Sequence, residues 1–166
     1  MCGRFTLKSP GRMKFDRIDH SNFPALLPRY NIAPSQNVLT VLQHDGVREA
    51  AFLQWGLIPS WSKDGKGFIN ARSETIEDKP SFSESFHRRR CLIPADGFYE
   101  WQRSGKIAQP YFFHMRDESP FAFAGIWDEW QGDGRVIASC AIITTAANEL
   151  LASIHDRMPV ILPSES

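Results

Sequence analysis

Apolar and polar positions alternate along this chain in short runs broken by turn residues. Asn37–Gln43 and Val47–Gln54 are β-branched or apolar runs on either side of His44-Asp45-Gly46, which reads as a hairpin. Further strands are expected at Cys91–Ile93, Gly97–Gln102, Tyr111–Met115, Phe121–Trp130 and Val136–Thr145. Ser104-Gly105 and Asp133-Gly134 supply turns between some of them. Helical spacing is confined to Gly11–Ile18, Ser81–Arg88 and Ala146–Ile154. The last places Thr145 at its N-cap and Leu150, Leu151 and Ile154 on one face. Strands so outnumber helices that the pattern predicts an α+β fold rather than a βαβ design. The expected form is a single strand-rich domain of mainly antiparallel, barrel-like sheets with a few peripheral helices.

A length of 166 residues with 42% hydrophobic positions fits one domain with a real core, and no repeat, low-complexity segment or linker divides it. Lys plus Arg (19) equals Asp plus Glu (19), so the whole-chain balance predicts neither a nucleic-acid nor a membrane partner. His87-Arg88-Arg89-Arg90 is a local basic run, ordinarily a solvated face. Three cysteines (Cys2, Cys91, Cys140) form no even framework and no CxxC pair, against a disulfide scaffold or zinc ribbon. Cys91 and Cys140 sit in apolar runs and are expected in the core. Met1–Ser9 lacks the apolar core of a signal peptide, and no apolar stretch approaches bilayer length. A reducing cytosol is the expected compartment.

Cys2 changes the picture. Its small size lets the initiator methionine be trimmed, which would leave an α-amine and a thiol on one residue. Such a 1,2-aminothiol condenses with an aldehyde to an imine, and the thiol then closes a thiazolidine ring. With reference pKa values of about 7.7–8.0 and 8.5, both groups hold a reactive fraction near neutral pH.

Few other polar residues stand out. Asn70-Ala71-Arg72-Ser73-Glu74 would put an amide, a guanidinium and a carboxylate on one face of an extended segment. Glu100 lies inside the aromatic run Phe98-Tyr99-Glu100-Trp101, where desolvation suits general acid–base work; strict strand alternation would instead turn it to water. His155-Asp156-Arg157 follows the expected last helix and offers a proton carrier. Trp55 and Trp61 bracket a Gly- and Pro-containing loop, and composition leaves both core packing and base stacking open for them. No GxSxG, HExxH, P-loop or GxGxxG occurs.

Six segments occur in order: Met1-Cys2-Gly3-Arg4-Phe5, Tyr30-Asn31-Ile32-Ala33-Pro34, Trp55-Gly56-Leu57-Ile58-Pro59-Ser60-Trp61, Asn70-Ala71-Arg72-Ser73-Glu74-Thr75, Pro94-Ala95-Asp96-Gly97-Phe98-Tyr99-Glu100-Trp101 and His155-Asp156-Arg157-Met158-Pro159. Together they closely resemble the SRAP family, the SOS response-associated peptidase or abasic-site processing proteins. The resemblance implies a protein that crosslinks to abasic sites in single-stranded DNA, with no cofactor, metal or membrane involved. It implies Cys2 as nucleophile after removal of Met1, and Asn70 as the amide orienting Cys2 and the opened sugar. It implies Glu100 and His155 as proton carriers in ring-opening and imine chemistry, with overlapping duties. Arg4, Arg72 and Arg157 become phosphate clamps, Pro34 and Trp61 a wedge between bases, and Thr144 a residue lining the site. Residues 1–166 read as one such domain, expected to be truncated at its C-terminus because the family usually continues past His-Asp-Arg-Met-Pro. Its place would be the cytoplasm, at the nucleoid in a bacterium. A cysteine peptidase using Cys2 with Glu100 or His155, and a non-catalytic single-strand binding module using Trp61 and the arginines, remain the alternatives.

Overall fold

The computed structural model describes residues 2–13, 26–44 and 46–162, with the His44 side chain left aside. Its strands are β1 (Arg4–Leu7), β2 (Arg29–Ile32), β3 (Asn37–His44), β4 (Val47–Trp55), β5 (Asn70–Arg72) and β6 (Arg90–Ala95). They continue as β7 (Gly97–Ser104), β8 (Ile107–Phe113), β9 (Phe121–Gly132), β10 (Arg135–Ala146), β11 (Arg157–Pro159) and β12 (Ile161–Leu162). The helices are α1 (Ser83–Arg88) and α2 (Glu149–Ala152).

The hairpin expected around residue 46 forms, with Asn37 opposite Gln54 and His44 opposite Val47. From it the sheet closes on itself: β3 pairs β4 and β6, β6 pairs β9, β9 pairs β10, and β10 returns to β4. These five strands make a barrel, which leaves no open edge among them. A second, four-stranded sheet in the order β2-β1-β7-β8 packs against it. Phe5 from that sheet sits 5.2 Å from Trp55 and 5.5 Å from Phe123, edge to face, and Phe98 lies 6.1 Å from Phe123. The larger core cluster therefore lies at the seam between the two sheets, and a second gathers Leu57, Ala71, Ile76, Ile126, Ala141 and Ile143. Most pairings are antiparallel, but β10 runs parallel to β4 and β5.

The α+β expectation holds only loosely, since the described residues are mostly strand and the helices are short. Ala146–Ile154 is helical only over Glu149–Ala152, and Asn148 rather than Thr145 caps it, accepting from the Leu151 N–H at 3.1 Å. The β-branched Thr144 and Thr145 stay in β10, where β11 pairs with them. Only Leu151 of the expected apolar face is buried; Leu150 is exposed. Of Gly11–Ile18, Pro10–Arg12 form a 3-10 turn and residues 14–18 lie outside the described residues. The strand expected at Tyr111–Met115 is longer and earlier, Ile107–Phe113.

One topological detail creates the site. β10 pairs with β4 up to Cys140↔Trp55 and then, two residues on, with β5 from Ile142↔Asn70. Between these strands the chain leaves the barrel wall at Gly56, whose φ of +136° favours glycine. Leu57 and Phe68 exchange both backbone hydrogen bonds at 2.9 Å and close the neck of the resulting loop. The loop carries Trp61 outward and delivers Asn70 inward. No helix among the described residues is long and apolar enough to cross a membrane.

Candidate active site at the second residue

β1 lies antiparallel to β7 with Arg4 opposite Tyr99 and Phe5 opposite Phe98. Phe98 and Glu100 therefore share the inward face, and the chain running back from Arg4 towards Cys2 passes alongside Glu100. Glu100 is buried, 3% exposed, so its strand phase points it into the seam and not to water. Asp96 fixes this arrangement: its carboxylate accepts from the Thr6 hydroxyl at 2.6 Å and from the Lys8 and Ser9 backbone N–H groups.

Cys2 is 1% exposed. The Asn70 amide, arriving from the large sheet, donates to the Cys2 carbonyl at 3.1 Å. Asn70 Oδ1 is buried with no hydrogen-bond partner among the described residues, leaving one acceptor open beside Cys2. Burial first and the Glu100 carboxylate second push the Cys2 thiol up to about 12. His155, from the loop after α2, places Nε2 at 3.5 Å from Glu100 Oε1. Cysteine, amide, carboxylate and imidazole thus converge from the N-terminus, β5, β7 and the α2–β11 loop.

The other expected residues are distributed around this centre. Thr144 is fully buried, its hydroxyl 3.4 Å from the Ala71 carbonyl. The Arg157 side chain is 13% exposed, and its guanidinium pairs with both Glu74 oxygens at 2.7 and 2.9 Å. It also donates to the Thr144 carbonyl at 2.7 Å. Glu74 is held down to about 2 chiefly by that pairing. The extended segment from Asn70 ends at Arg72 and turns into a 3-10 helix over Ser73–Thr75, so Glu74 leaves the shared face and reaches Arg157. Arg72 is exposed, and Arg4 donates to Asn31 Oδ1 at 2.8 Å.

Trp55 is a core residue donating to the Ile69 carbonyl at 2.9 Å, whereas Trp61 is 61% exposed. Pro34 and Ser35 occupy the central positions of a turn in which Ser35 adopts φ +68°. That turn is tied to the root of the Trp61 loop, because Ser35 N–H donates to the Trp55 carbonyl at 2.8 Å and Trp55 N–H to Gln36 at 2.9 Å. Pro34 and Trp61 therefore stand on adjoining loops. The basic run is not uniformly a solvated face: Arg89 pairs with the buried Asp128 at 2.7 Å, while His87, Arg88 and Arg90 are exposed. Asp128 was not singled out by the sequence; an acid inside the apolar run Phe121–Trp130 was the available signal. Cys91 and Cys140 are buried, unpaired core thiols. No group of three or more His, Cys, Asp or Glu among the described residues could hold a metal.

Known proteins resemble this chain along its length. Abasic site processing protein YoqW of Bacillus subtilis is 46% identical, the match covering 100% of this chain and 78% of that protein. Abasic site processing protein YedK of Escherichia coli is 32% identical over 100% of this chain and 77% of its own length. A crystal structure of a Bacteroides thetaiotaomicron protein superposes with TM-score 0.83 at 29% identity, covering 99% of this chain and 78% of that one. The family model described as SOS response associated peptidase (SRAP) matches residues 1–166, and the chain belongs to that family.

Proposed function

We propose that this chain processes abasic sites in single-stranded DNA by capturing the opened sugar aldehyde on Cys2, after removal of Met1. The observation that carries the reading is the convergence of Cys2, Asn70, Glu100 and His155 in one buried seam. The freed α-amine attacks the aldehyde carbon and water leaves, giving the imine. The Cys2 S–H then adds across C=N, sulfur to carbon and hydrogen to nitrogen, and the thiazolidine closes. Starting from the amine tolerates a thiol that is held neutral, which a peptidase acting through a thiolate would not. Glu100 and His155 move protons during ring-opening, loss of water and addition, a reading supported by their 3.5 Å contact. Asn70 holds the Cys2 carbonyl, and its open oxygen suits an N–H of the new amine. Exposed Arg72 and half-buried Arg4 contact phosphates, and Trp61 with Pro34 separates neighbouring bases, a splaying that a duplex resists by about a few kcal/mol. Ring closure removes the imine that would otherwise lead to strand scission.

The test is intact mass after mixing the processed protein with a single-stranded oligonucleotide carrying one abasic site. The expected product is one protein plus one strand minus one water, stable to heat and absent for Cys2→Ala. An equal yield of adduct from Cys2→Ala would sink the reading.

A further inference from the structure

We propose that Glu74 is a positioning residue for His155, acting through Arg157 to keep the imidazole proton on Nε2, facing Glu100. The proposal rests on the reading of His155 as a proton carrier, but its first test does not. His155 Nδ1 has two neighbours with opposite demands. The Arg157 backbone N–H points at it from 2.9 Å and can only donate, so it requires a lone pair on Nδ1. Asp156 Oδ1 also lies at 2.9 Å and would require a proton there. The Asp156 side chain is 86% exposed and is served by water. The Arg157 N–H belongs to a strand residue, paired opposite Ala146, and has no such freedom. The amide wins as long as Arg157 stays in place.

What holds Arg157 is the grip already described. Both terminal nitrogens meet the Glu74 carboxylate, at 2.7 and 2.9 Å, and one also reaches the Thr144 carbonyl at 2.7 Å. Glu74 sits in the turn directly after β5 and Arg157 begins β11, so the pair fastens together two elements that both pair with β10. The influence of Glu74 on the imidazole runs through Arg157. Without Glu74, β11 loses its tie to the turn after β5, the Arg157 N–H shifts relative to Nδ1, and Asp156 draws the ring proton there. That tautomer would turn an Nε2 lone pair, in place of an N–H, towards Glu100. Glu100 faces one nitrogen of His155, and Asp156 and the Arg157 amide face the other.

The tautomer can be read directly by long-range proton–nitrogen correlation on uniformly 15N-histidine-labelled full chain above the imidazole titration. His155→Gln assigns the signal among the five histidines. The wild-type chain and Asp156→Asn should both show His155 as the Nε2–H form. Glu74→Ala should show the Nδ1–H form or a mixture, and isosteric Glu74→Gln serves if the alanine variant does not fold. A folded Glu74 variant with an unchanged wild-type tautomer overturns the proposal. In single-turnover capture of an abasic oligonucleotide, Glu74→Ala should slow the chemical step by about tenfold or more, with Glu74→Gln in between. Strand affinity should change far less. A loss confined to affinity would make Glu74 part of the DNA contact and overturn the positioning role. A shifted tautomer in a protein that captures no abasic strand even as wild type would instead leave the positioning intact and refute the proposed function.

Discussion

A thiol pushed up to about 12 by burial and a neighbouring carboxylate carries almost no thiolate near neutral pH, and that has two measurable consequences at Cys2. With Met1 in place, iodoacetamide should alkylate Cys2 about a thousandfold more slowly than an unperturbed cysteine, since the shift from 9.0 to about 12 spans three pH units. Alkylation of Cys2 in the folded chain at the rate of free cysteine would refute that environment. The same shift couples to stability. An unfolded chain releases this proton near 9 and the folded one near 12, so the contribution is complete below pH 9 and is lost as pH rises towards 12. Cys91 and Cys140, also raised by burial, contribute to the wild-type slope, so the difference in melting temperature between wild type and Cys2→Ala isolates Cys2. That difference should move against wild type between pH 9 and 11. Glu74 gives the opposite sign at the acid end. Its carboxyl is held down to about 2 by Arg157, so its stabilisation is present above about pH 4.5 and lost as pH falls towards 2. Glu74→Gln should therefore melt below wild type at pH 7 and converge with it as the buffer is taken below pH 4. A constant gap across that range would mean that the ion pair is not the cause.

At the scale of elements, the outer part of the loop between β4 and β5 is anchored on β9. Asp128 accepts from the Ser60 N–H at 2.8 Å, and the Trp130 indole donates to the Ser62 carbonyl at 2.7 Å. These alternate residues of β9 fix the backbone immediately before and after Trp61, which leaves the exposed indole on a rigid base. Removing a charged acceptor of buried hydrogen bonds costs about 1–3 kcal/mol, so Asp128→Ala should lower stability by that order in urea unfolding. Trp130→Phe keeps most of the packing and removes one anchor, and should increase proteolytic nicking of the loop at little global cost. If neither variant alters nicking at residues 60–66, the loop is held by something else. The hairpin at β3–β4 and the strands from β6 to β10 were legible because alternation and turn residues coincide there. The α2 region was not: its apolar spacing fits a helix, but pairing of β10 with β11 claims the residues through Ala146, and the capping Asn148 starts the helix late. The candidate site was legible as a set of segments through family resemblance, because Cys2, Asn70, Glu100 and His155 lie far apart in sequence. Their meeting depends on the strand order, which no local pattern encodes. The Glu74–Arg157 and Asp128–Arg89 pairs were missed for the same reason, being contacts between elements.

At the scale of the molecule, zero net charge looks unsuited to a polyanionic partner until individual cations are sorted by what already neutralises them. Arg89 is paired with Asp128 and Arg157 with Glu74, whereas Arg4 meets a neutral amide and Arg72 is exposed. In the single-strand reading this leaves two cations, not three, to displace counterions. For single strands the slope of log K against log salt is about −0.7 per neutralised phosphate, so two contacts predict a slope of about −1.4. Arg72→Gln should flatten it to about −0.7, with a uniform loss of affinity across sequences. Glu74→Gln releases the Arg157 charge and should steepen the slope to about −2.1, even where it slows capture. Arg88→Gln, in the exposed part of the basic run, should leave the slope unchanged. Fluorescence anisotropy of labelled intact and abasic strands over a salt series, with Cys2→Ala to prevent trapping, measures all four. A wild-type slope near −2.1 that Glu74→Gln does not alter would mean that the strand pulls Arg157 from Glu74 on binding. The resting grip would then be a contact that DNA breaks, and the arginine would count among the phosphate clamps after all.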